Sequence, residues 1–456
     1  MIRMYGASHE GMDYPIPGKL SSKSRRAGNR PDEVLRDIAL HHLIRRPGKP
    51  HADKIREYDK YFHQVRDLST IIHPDQAKEF KTKLKKYNAL LTKAEQEELQ
   101  NYDVIFCTTT MTTNTKFIRS TKNRIFQCII DESGMCTEPE TLATIIATRA
   151  EQVVLIGDHK QLRPVVMCQH AARLGLEKSL FERRSKAAIL LSTQYRMNPR
   201  LCDFISAQFY HNQLQTAPST AWMEQNPLGL WKYRETPHIL CHVEGGEEYL
   251  TVSTYEGNEQ SCSNKAEVEK VVDVFKRIVS VEGVNPRYIN VMSQYNAQCH
   301  AIKTALLASG YINSNVHTVV ASQGGEWDYV IFSTVRSLPD YRIEPNPTIG
   351  WCKQNLGFIT DEHQINVALS RARKGLVIIG NTNLLKCDDV WKNLIDLYTK
   401  RECVVDGKDF PPRITRPRRV RNRAKESHVT YREFYKGTDM EVRGSDKNMV
   451  DDTKTV

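Results

Sequence analysis

Three short runs of apolar, largely β-branched residues constrain the fold of this 456-residue chain most strongly. They read DVIFCTTTM, FQCIIDE and QVVLIGD, at residues 103–111, 126–132 and 152–158, and each ends in polar residues. Buried parallel strands have this composition, and their carboxyl ends carry functional groups. A Glu-, Thr- and Ala-rich segment at 139–149 predicts a helix between the second and third runs. This βαβ rhythm predicts an α/β sheet.

The rest of the chain predicts a second α/β unit and a helical insertion. We expect a helix at 264–279, followed by four strands, at 288–292, 316–319, 329–335 and 376–380. Residues 183–250 are interpreted as connection, residues 6–50 as loop, and Met1–Tyr5 as a strand. Apolar residues spaced three or four apart in 51–100 predict a helical hairpin, with a solvated charged decoration as the alternative.

Charge and cysteine usage narrow the class of protein. The net charge of +11 and pI near 9.0 favour a polyanionic partner, although a basic enzyme without such a partner remains the alternative. The eleven cysteines lack a CxxC pair and zinc-finger spacing, which predicts reduced thiols in a cytoplasmic or nuclear protein. No run of about 18 apolar residues occurs, so we expect no membrane partner.

The basic carboxyl-terminal segment, residues 411–456, is polar and poor in apolar residues, and we expect a disordered tail. Seven Arg and Lys residues between 413 and 425 indicate electrostatic binding to phosphate. A solvated tail or a localisation signal is the alternative.

Two strand ends carry the residues with the clearest chemistry. Asp131 and Glu132 end one predicted strand, and in a nucleotide hydrolase such an Asp holds Mg²⁺ while the Glu orients and deprotonates the attacking water. The next strand is followed by Gly157-Asp158-His159-Lys160-Gln161-Leu162-Arg163-Pro164, in which the Gln161 amide can contact both a γ-phosphate and that water. The Asp-Glu pair alone is a weak signal, and an ordinary polar loop is the alternative for the second string.

Five strings in order resemble motifs II, III, the QYRM motif, V and VI of superfamily 1 helicases of the Upf1-like branch. They are IIDESGMCTEPE, IGDHKQLRP, LSTQYRMNP, VVASQGGEWDYVIFSTVRS and NVALSRARKGL, and the resemblance covers about residues 1–385. It implies an α/β fold with two RecA-like P-loop NTPase-type domains built on parallel sheets. We expect the first at 1–182, truncated at its amino-terminal side and carrying the helical insertion at 31–100, and the second at 183–385.

The resemblance also implies the nucleotide site, with ATP and Mg²⁺ in the cleft between the domains. Arg196 would reach the γ-phosphate and Arg371 would act as the arginine finger, because a guanidinium forks onto phosphate oxygens. The remaining expected nucleotide contacts are Gln194, Tyr195, Glu326 and Arg373. Asp131 would bind the metal, with Glu132 and Gln161 as catalytic groups. For each arginine, a surface salt bridge is the alternative.

Single-stranded RNA or DNA is the partner that the resemblance implies, crossing the tops of both domains. Hydroxyl and amide groups there would contact backbone phosphate and sugar. The candidates are Thr108, Thr109, Ser293, Tyr295, Asn296 and Ser322, within segments 108–110, 293–298 and 322–323. Polar residues that only cap loops are the alternative.

One expected motif has no match in the sequence. A P-loop reads GxxxxGK[ST], whereas Gly18-Lys19, Gly48-Lys49 and Gly407-Lys408 lack the earlier Gly and the following Ser or Thr. We therefore expect a helicase motor segment that is inactive without a P-loop, either as part of a longer protein or as a nucleotide-blind form. A non-catalytic nucleic-acid-binding or scaffold module is the second hypothesis. A nuclease finds little support in the residue pattern.

Overall fold

The structure is a computed structural model that describes residues 1–17, 33–65, 74–220, 227–254 and 257–412. The predicted tail lies outside the described residues from Arg413 onward. Met1–Pro412 forms one compact unit.

The first domain alternates short strands with helices. Its elements are β1 (Ile2–Arg3), α1 (Ala7–Asp13), α2 (Leu40–Leu43), α3 (Ala52–Gln64), α4 (Pro74–Leu99), β2 (Ile105–Phe106), α5 (Thr109–Thr112), α6 (Thr115–Thr121), β3 (Gln127–Ile130), α7 (Glu138–Thr148), β4 (Gln152–Leu155), α8 (Gln169–Ala171) and α9 (Leu180–Arg184). The predicted helix at 139–149 matches α7, which begins with a capping box in which Thr137 and Glu140 bond each other's backbone N–H.

The strands of the first domain pair in parallel, as predicted, but they are shorter than expected. β1 pairs with β2, and β3 pairs with β4 with Cys128 opposite Val153. Along β3, Cys128 and Ile130 are buried, whereas Ile129 on the other face is 58% exposed. The expectation that these strands are buried on both faces is therefore wrong for this pair, because only one face carries a packed layer.

The helical insertion is packed against the first domain rather than solvated. Helices α3 and α4 form the predicted hairpin, with residues 66–73 outside the described residues. Ile55, Phe62 and Tyr87 share one apolar cluster with Ile2 of β1. The prediction of plain loop for residues 6–50 is wrong in part, because α1, a 3-10 helix at Glu33–Ile38 and α2 lie there.

The second domain carries most of the regular structure. Its elements are β5 (Thr193–Gln194), α10 (Pro199–Tyr210), β6 (Gln215–Thr216), β7 (His238–His242), β8 (Glu247–Thr254), β9 (Gly257–Asn264), α11 (Lys265–Lys276), β10 (Ile289–Ser293), α12 (Asn296–Ala308), β11 (Asn315–Thr318), β12 (Trp327–Ser333), α13 (Ile349–Leu356), α14 (Glu362–Leu369), β13 (Ala372–Gly380), α15 (Thr382–Leu385), α16 (Asp389–Lys400) and β14 (Val404–Asp406).

A six-stranded, all-parallel sheet forms the centre of this domain, in the order β11-β10-β12-β13-β7-β14. The four predicted strands are confirmed as β10, β11, β12 and β13. The interpretation of 183–250 as connection is wrong, because β7 and the antiparallel β8–β9 hairpin begin there. The sheet also continues past residue 385, the boundary expected from the sequence, because β14 pairs with β7.

Two apolar layers cover the sheet, and alternate residues of each strand enter one layer or the other. On β12, Val330 and Phe332 face the layer that contains Trp391 of α16, whereas Tyr329 and Ile331 face the layer of α11 and α12. Each fully buried large apolar side chain contributes roughly 1.5–3 kcal/mol. This two-sided burial fixes the register of the sheet and therefore the positions of the strand ends.

Because the strands run parallel, their amino ends lie together on one side of the domain and their carboxyl ends lie together on the opposite side. The amino ends of β12 and β13 meet where Trp327 pairs with Ala372, and the carboxyl ends of β10 and β12 meet where Ser293 pairs with Ser333. Residues just before β12 and β13 therefore share one edge of the domain, and residues just after β10 and β12 share the opposite edge.

Candidate active site

The paired carboxylates Asp131 and Glu132 lie exposed at the carboxyl end of β3. The Asp131 Oδ1 atom accepts a hydrogen bond from the Glu132 backbone N–H at 2.9 Å. Glu132 adopts a left-handed backbone with φ of 51°, which is uncommon for a residue with a side chain. Such strain clusters at functional sites, where the surrounding structure holds it in place.

The loop after β4 is fastened to the loop after β3. Both the N–H and the Oγ of Ser133 donate to the Ile156 carbonyl, at 2.9 and 2.8 Å. A Cβ atom at Gly157 would lie only 2.9 Å from the backbone nitrogen of Gly134, so the close approach requires glycine here. The two loops therefore hold their polar side chains as one unit.

Gln161, in the loop after β4, links the two domains. Its Nε2 atom donates to Asp158 Oδ2 at 3.0 Å, and its Oε1 accepts from Arg371 Nη2 at 3.2 Å. Asp158 Oδ2 also accepts from the Tyr210 hydroxyl at 2.5 Å, and Asn366 Nδ2 donates to that hydroxyl at 2.9 Å. Sequence analysis missed Tyr210 and Asn366, because neither stands out within its own helix.

Arg371 is buried, with 1% of its surface exposed, and hydrogen bonds hold its guanidinium in place. Its Nε donates to the Val367 carbonyl at 3.1 Å and its Nη2 donates to Ser370 Oγ at 3.0 Å. Burial, with the nearby Arg196 guanidinium, lowers the pKa of Arg371 to about 10. The group stays charged at neutral pH, and a bound anion would relieve the repulsion between the two cations.

Arg196 lies beside Arg371 and reaches the same cleft from the segment before α10. Its Nε donates to Glu326 Oε2 at 3.0 Å and its Nη1 donates to the Ser370 carbonyl at 3.3 Å. Arg373 Nε lies 3.8 Å from the other Glu326 oxygen. In this structure Glu326 thus offsets two of the cations that the sequence assigned to the nucleotide.

Gln194 and Tyr195 are both predicted to contact nucleotide, but only one of the two side chains is free to contact a ligand. The Gln194 Oε1 accepts from the N–H groups of Arg196 and Met197, and its Nε2 donates to the Met197 carbonyl and to Thr216 Oγ1. Because all four positions of the amide are used, Gln194 shapes the loop that presents Arg196. Tyr195 is 68% exposed, which leaves its ring open to stack on a ligand.

Gln323 lies on the cleft between the two domains. It belongs to the segment expected to bind nucleic acid, yet its Nε2 donates to the Glu132 carboxylate at 3.1 Å. The second domain therefore touches the carboxylate pair of the first domain directly.

Three of the predicted nucleic-acid contacts are enclosed within the second domain. Ser293 and Ser322 are fully buried, and Ser322 Oγ donates to the Val319 carbonyl at 2.7 Å. Tyr295 is buried with its hydroxyl 3.5 Å from the Leu356 carbonyl. None of these three side chains is exposed in this structure, and their assignment as nucleic-acid contacts stays a prediction. Thr108 and Asn296 are exposed, and Thr109 is half-buried at the start of α5.

An exposed aromatic residue, Phe358, stands at the carboxyl edge of the second domain, and sequence analysis missed it. The Gln294 Nε2 atom, just beyond β10, donates to the Phe358 carbonyl at 2.9 Å. The Phe358 ring is 63% exposed and lies 6.1 Å from the buried Tyr295 ring. No pattern in the sequence distinguishes it from the other aromatic residues between the fourth and fifth strings.

The residues of the cleft fit a magnesium–nucleoside triphosphate. Asp131 offers an exposed carboxylate, which Mg²⁺ prefers, and two guanidiniums lie across the cleft from it.

No helix among the described residues has the length and apolar character needed to cross a membrane.

Comparison with known proteins gives two matching family models, both described as AAA domain. One matches residues 22–169 and the other residues 176–383. Together they span most of the described chain.

Curated relatives align with most of the chain. The 3'-5' exoribonuclease HELZ2 of Mus musculus is 38% identical over 424 residues, which cover 89% of this chain and 13% of the relative. A regulator of nonsense transcripts 1 homolog of Arabidopsis thaliana is 34% identical, covering 89% of this chain and 30% of the relative. The ATP-dependent helicase NAM7 of Saccharomyces cerevisiae is 32% identical, covering 85% and 37%. The chain therefore spans well under half the length of each of these relatives.

Proposed function

The chain belongs to the Upf1-like branch of the superfamily 1 helicases, and we propose that it is a segment of a helicase motor. Its activity in the whole protein would be ATP hydrolysis coupled to movement along, or unwinding of, RNA or DNA. Of the relatives, one is named an ATP-dependent helicase and another an exoribonuclease. We place its activity in the cytoplasm or nucleus.

The meeting of the two domains at one cleft carries this proposal. Arg371 of the second domain bonds Gln161 of the first at 3.2 Å, and Gln323 bonds Glu132 at 3.1 Å. Carboxylates on one wall and guanidiniums on the other are among the groups that phosphoryl transfer to water uses. A surface salt-bridge role for Arg371 is inconsistent with its full burial.

The proposed roles follow from the position of each side chain. Magnesium, when bound, would offset the negative charge of the phosphates, and Asp131 is the residue that would hold it. Glu132 would accept a proton from the attacking water, and Gln161 would orient that water. Arg196 and Arg371 would stabilise charge on the transferring group, and Tyr195 would stack beside the nucleotide.

The sequence has no P-loop pattern, so we propose that this chain alone binds nucleotide weakly and does not turn it over. A P-loop provides backbone N–H groups and a lysine for the β and γ phosphates. Without them, Glu132 and Arg371 would face a substrate that is poorly held.

Single-stranded nucleic acid is the proposed second ligand, on the opposite edge of the second domain from Arg371. Phe358 offers a ring for base stacking, and stacking on aromatic rings is worth roughly 1–3 kcal/mol per base. Exposed Thr108 and Asn296 would contact the backbone without reading sequence.

Titration of the purified chain with a fluorescent ATP analogue and Mg²⁺, into the millimolar range, tests the motor proposal. We expect weak binding that falls several-fold in Arg196→Ala. Arg200→Ala, four residues along on the exposed start of α10, is the matched control and should leave binding unchanged. Equal binding by both variants would remove Arg196 from the site. No nucleotide binding by the wild-type chain, with single-strand binding retained, would favour the non-catalytic module instead.

A further inference from the structure

A cluster of two histidines and an aspartate lies where α1 meets the helical insertion, outside the cleft. Asp13 is the last residue of α1, and His41 and His42 are consecutive residues of α2. The Asp13 Oδ2 atom lies 3.0 Å from His41 Nε2 and 3.1 Å from His42 Nε2. All three side chains can offer one donor atom each within 4.8 Å of the others.

These distances match the edges of a metal coordination shell. With tetrahedral metal–ligand bonds of 2.0–2.1 Å, neighbouring donor atoms lie roughly 3.3 Å apart. The two distances to Asp13 Oδ2 are only slightly shorter, so small side-chain shifts would admit an ion. Because the residues come from two helices, the site exists only when α1 and α2 are packed together.

Hydrogen bonding around the cluster leaves one of the two Nε2 atoms without a partner, whereas His41 Nε2 is hydrogen-bonded to Asp13 Oδ2 at 3.0 Å. His42 Nε2 is buried and, despite lying 3.1 Å from Asp13, makes no hydrogen bond of acceptable geometry. On the other side of the same ring, Nδ1 lies 2.9 Å from the Tyr14 hydroxyl. If Nδ1–H donates to that oxygen, the Nε2 lone pair points toward the cluster, which is the arrangement seen around metal-binding histidines.

Arg45 lies close to the cluster, and the Asp59 carboxylate offsets its charge. Arg45 stacks on the Tyr14 ring at 3.6 Å, which brings positive charge near the cluster. Its Nε and Nη2 atoms donate to the Asp59 carboxylate at 2.8 and 3.2 Å. The charge of Arg45 is therefore largely offset, whereas Arg36 on the preceding 3-10 helix repels a charged His42 more strongly than Arg45 does.

We propose that Asp13, His41 and His42 bind a divalent transition-metal ion, with Zn²⁺ the best fit. Two imidazoles and one carboxylate suit Zn²⁺, whereas Mg²⁺ and Ca²⁺ prefer oxygen donors. Three protein ligands leave the fourth position to water. The ion would tie α2 of the helical insertion to α1, which directly follows β1.

Cobalt substitution tests the ligand set in the chain as it stands. With Co²⁺ at one equivalent after chelation and dialysis, we expect visible d–d bands of a four-coordinate nitrogen–oxygen site. A sulfur-to-cobalt charge-transfer band in the near ultraviolet would instead assign the metal to the free cysteines and overturn the proposal. The absence of any spectrum would also overturn it.

Thermal unfolding with and without Zn²⁺ locates the site. The midpoint should rise by a few degrees with Zn²⁺ in the wild type and should not respond in His42→Asn, whose amide can still bond Tyr14. His51→Asn is the matched control, because His51 pairs with Glu97 on the same insertion outside the cluster. It should keep the full response. A rise of equal size in His42→Asn would place the ion elsewhere.

Discussion

Gln323 of the second domain donates a hydrogen bond to the Glu132 carboxylate of the first domain, with 3.1 Å between Nε2 and Oε2. This contact joins the residue proposed as the general base to the wall on the other side of the cleft. The position of Glu132 therefore depends on how closely the two domains approach.

Gln323→Glu should loosen the cleft, because a second carboxylate would then face Glu132 at hydrogen-bond distance. Hydrogen–deuterium exchange should rise at residues 131–136 and 320–326, with no change in the sheet core. Gln323→Leu removes the hydrogen bond without adding charge, so its effect should be smaller. Unchanged exchange in both variants would mean that the contact does not hold the domains together.

Glu132→Gln should nearly abolish turnover in a version of the protein to which a P-loop has been added. The amide keeps the shape of the side chain but cannot accept a proton. Nucleotide binding should stay within about twofold, and phosphate release with single-stranded RNA should fall by roughly 10²–10⁴. Substantial remaining hydrolysis would show that another residue acts as the base.

His238 should make the second domain acid-sensitive. It is fully buried at the start of β7, stacks on Tyr398 at 4.2 Å, and has no hydrogen-bond partner on either ring nitrogen. Burial lowers the pKa of His238 to about 3 from an ordinary 6.5, so the unfolded chain binds the proton more readily. Stability from this group is complete above pH 6.5 and is lost as the pH falls toward 3.

The predicted loss is about 2 kcal/mol at pH 5, from 1.5 pH units at about 1.36 kcal/mol each. His238→Phe removes the titrating group and keeps a ring on Tyr398. Urea unfolding between pH 7 and pH 5 should therefore show a flatter pH dependence for this variant. An equally steep dependence in the variant would assign the acid sensitivity to other groups.

Phe358→Ala should weaken binding to single-stranded RNA by about fivefold to a hundredfold, the loss expected when one stacked base is released. Phe358→Tyr should preserve most of the affinity. Tyr288→Ala is the control, because Tyr288 is an aromatic residue just before β10, at the opposite edge of the same sheet. Fluorescence anisotropy with a labelled oligonucleotide measures all three, and similar losses for Phe358→Ala and Tyr288→Ala would argue against a stacking site.

Deleting the residues after Pro412 should weaken nucleic-acid binding and flatten its dependence on salt. Each phosphate contact made by Arg or Lys adds about 0.7 to the logarithmic salt slope for a single strand. The slope from affinities between 50 and 200 mM salt should drop by several units if the arginines of this segment bind phosphate. An unchanged slope would exclude the segment from the binding surface.

The sequence predicted where Asp131, Glu132 and Gln161 lie, because they stand just after β3 or in the loop after β4 and strand ends are readable from apolar runs. Their catalytic roles stay predictions. Arg371 followed from resemblance alone. The full burial of Ser293 and Ser322 was not predictable, since a polar residue beside a strand gives no sign of what covers it. β7 was missed because its HILCH run has histidines at both ends and reads as a short mixed segment. Phe358 depends on a contact with Gln294, 64 positions away.

The strand β12 begins directly after Glu326, at the proposed nucleotide cleft, and ends two residues before Val335, near the proposed nucleic-acid end of the domain. Its seven residues span about 20 Å at roughly 3.3 Å per residue, and most of the strand is buried. Because β12 is packed on both faces, a rotation of the domain about the arginines would also move its opposite end. The sheet would then transmit a conformational change from the proposed phosphate site to the proposed nucleic-acid site, and so couple hydrolysis to movement along the nucleic acid.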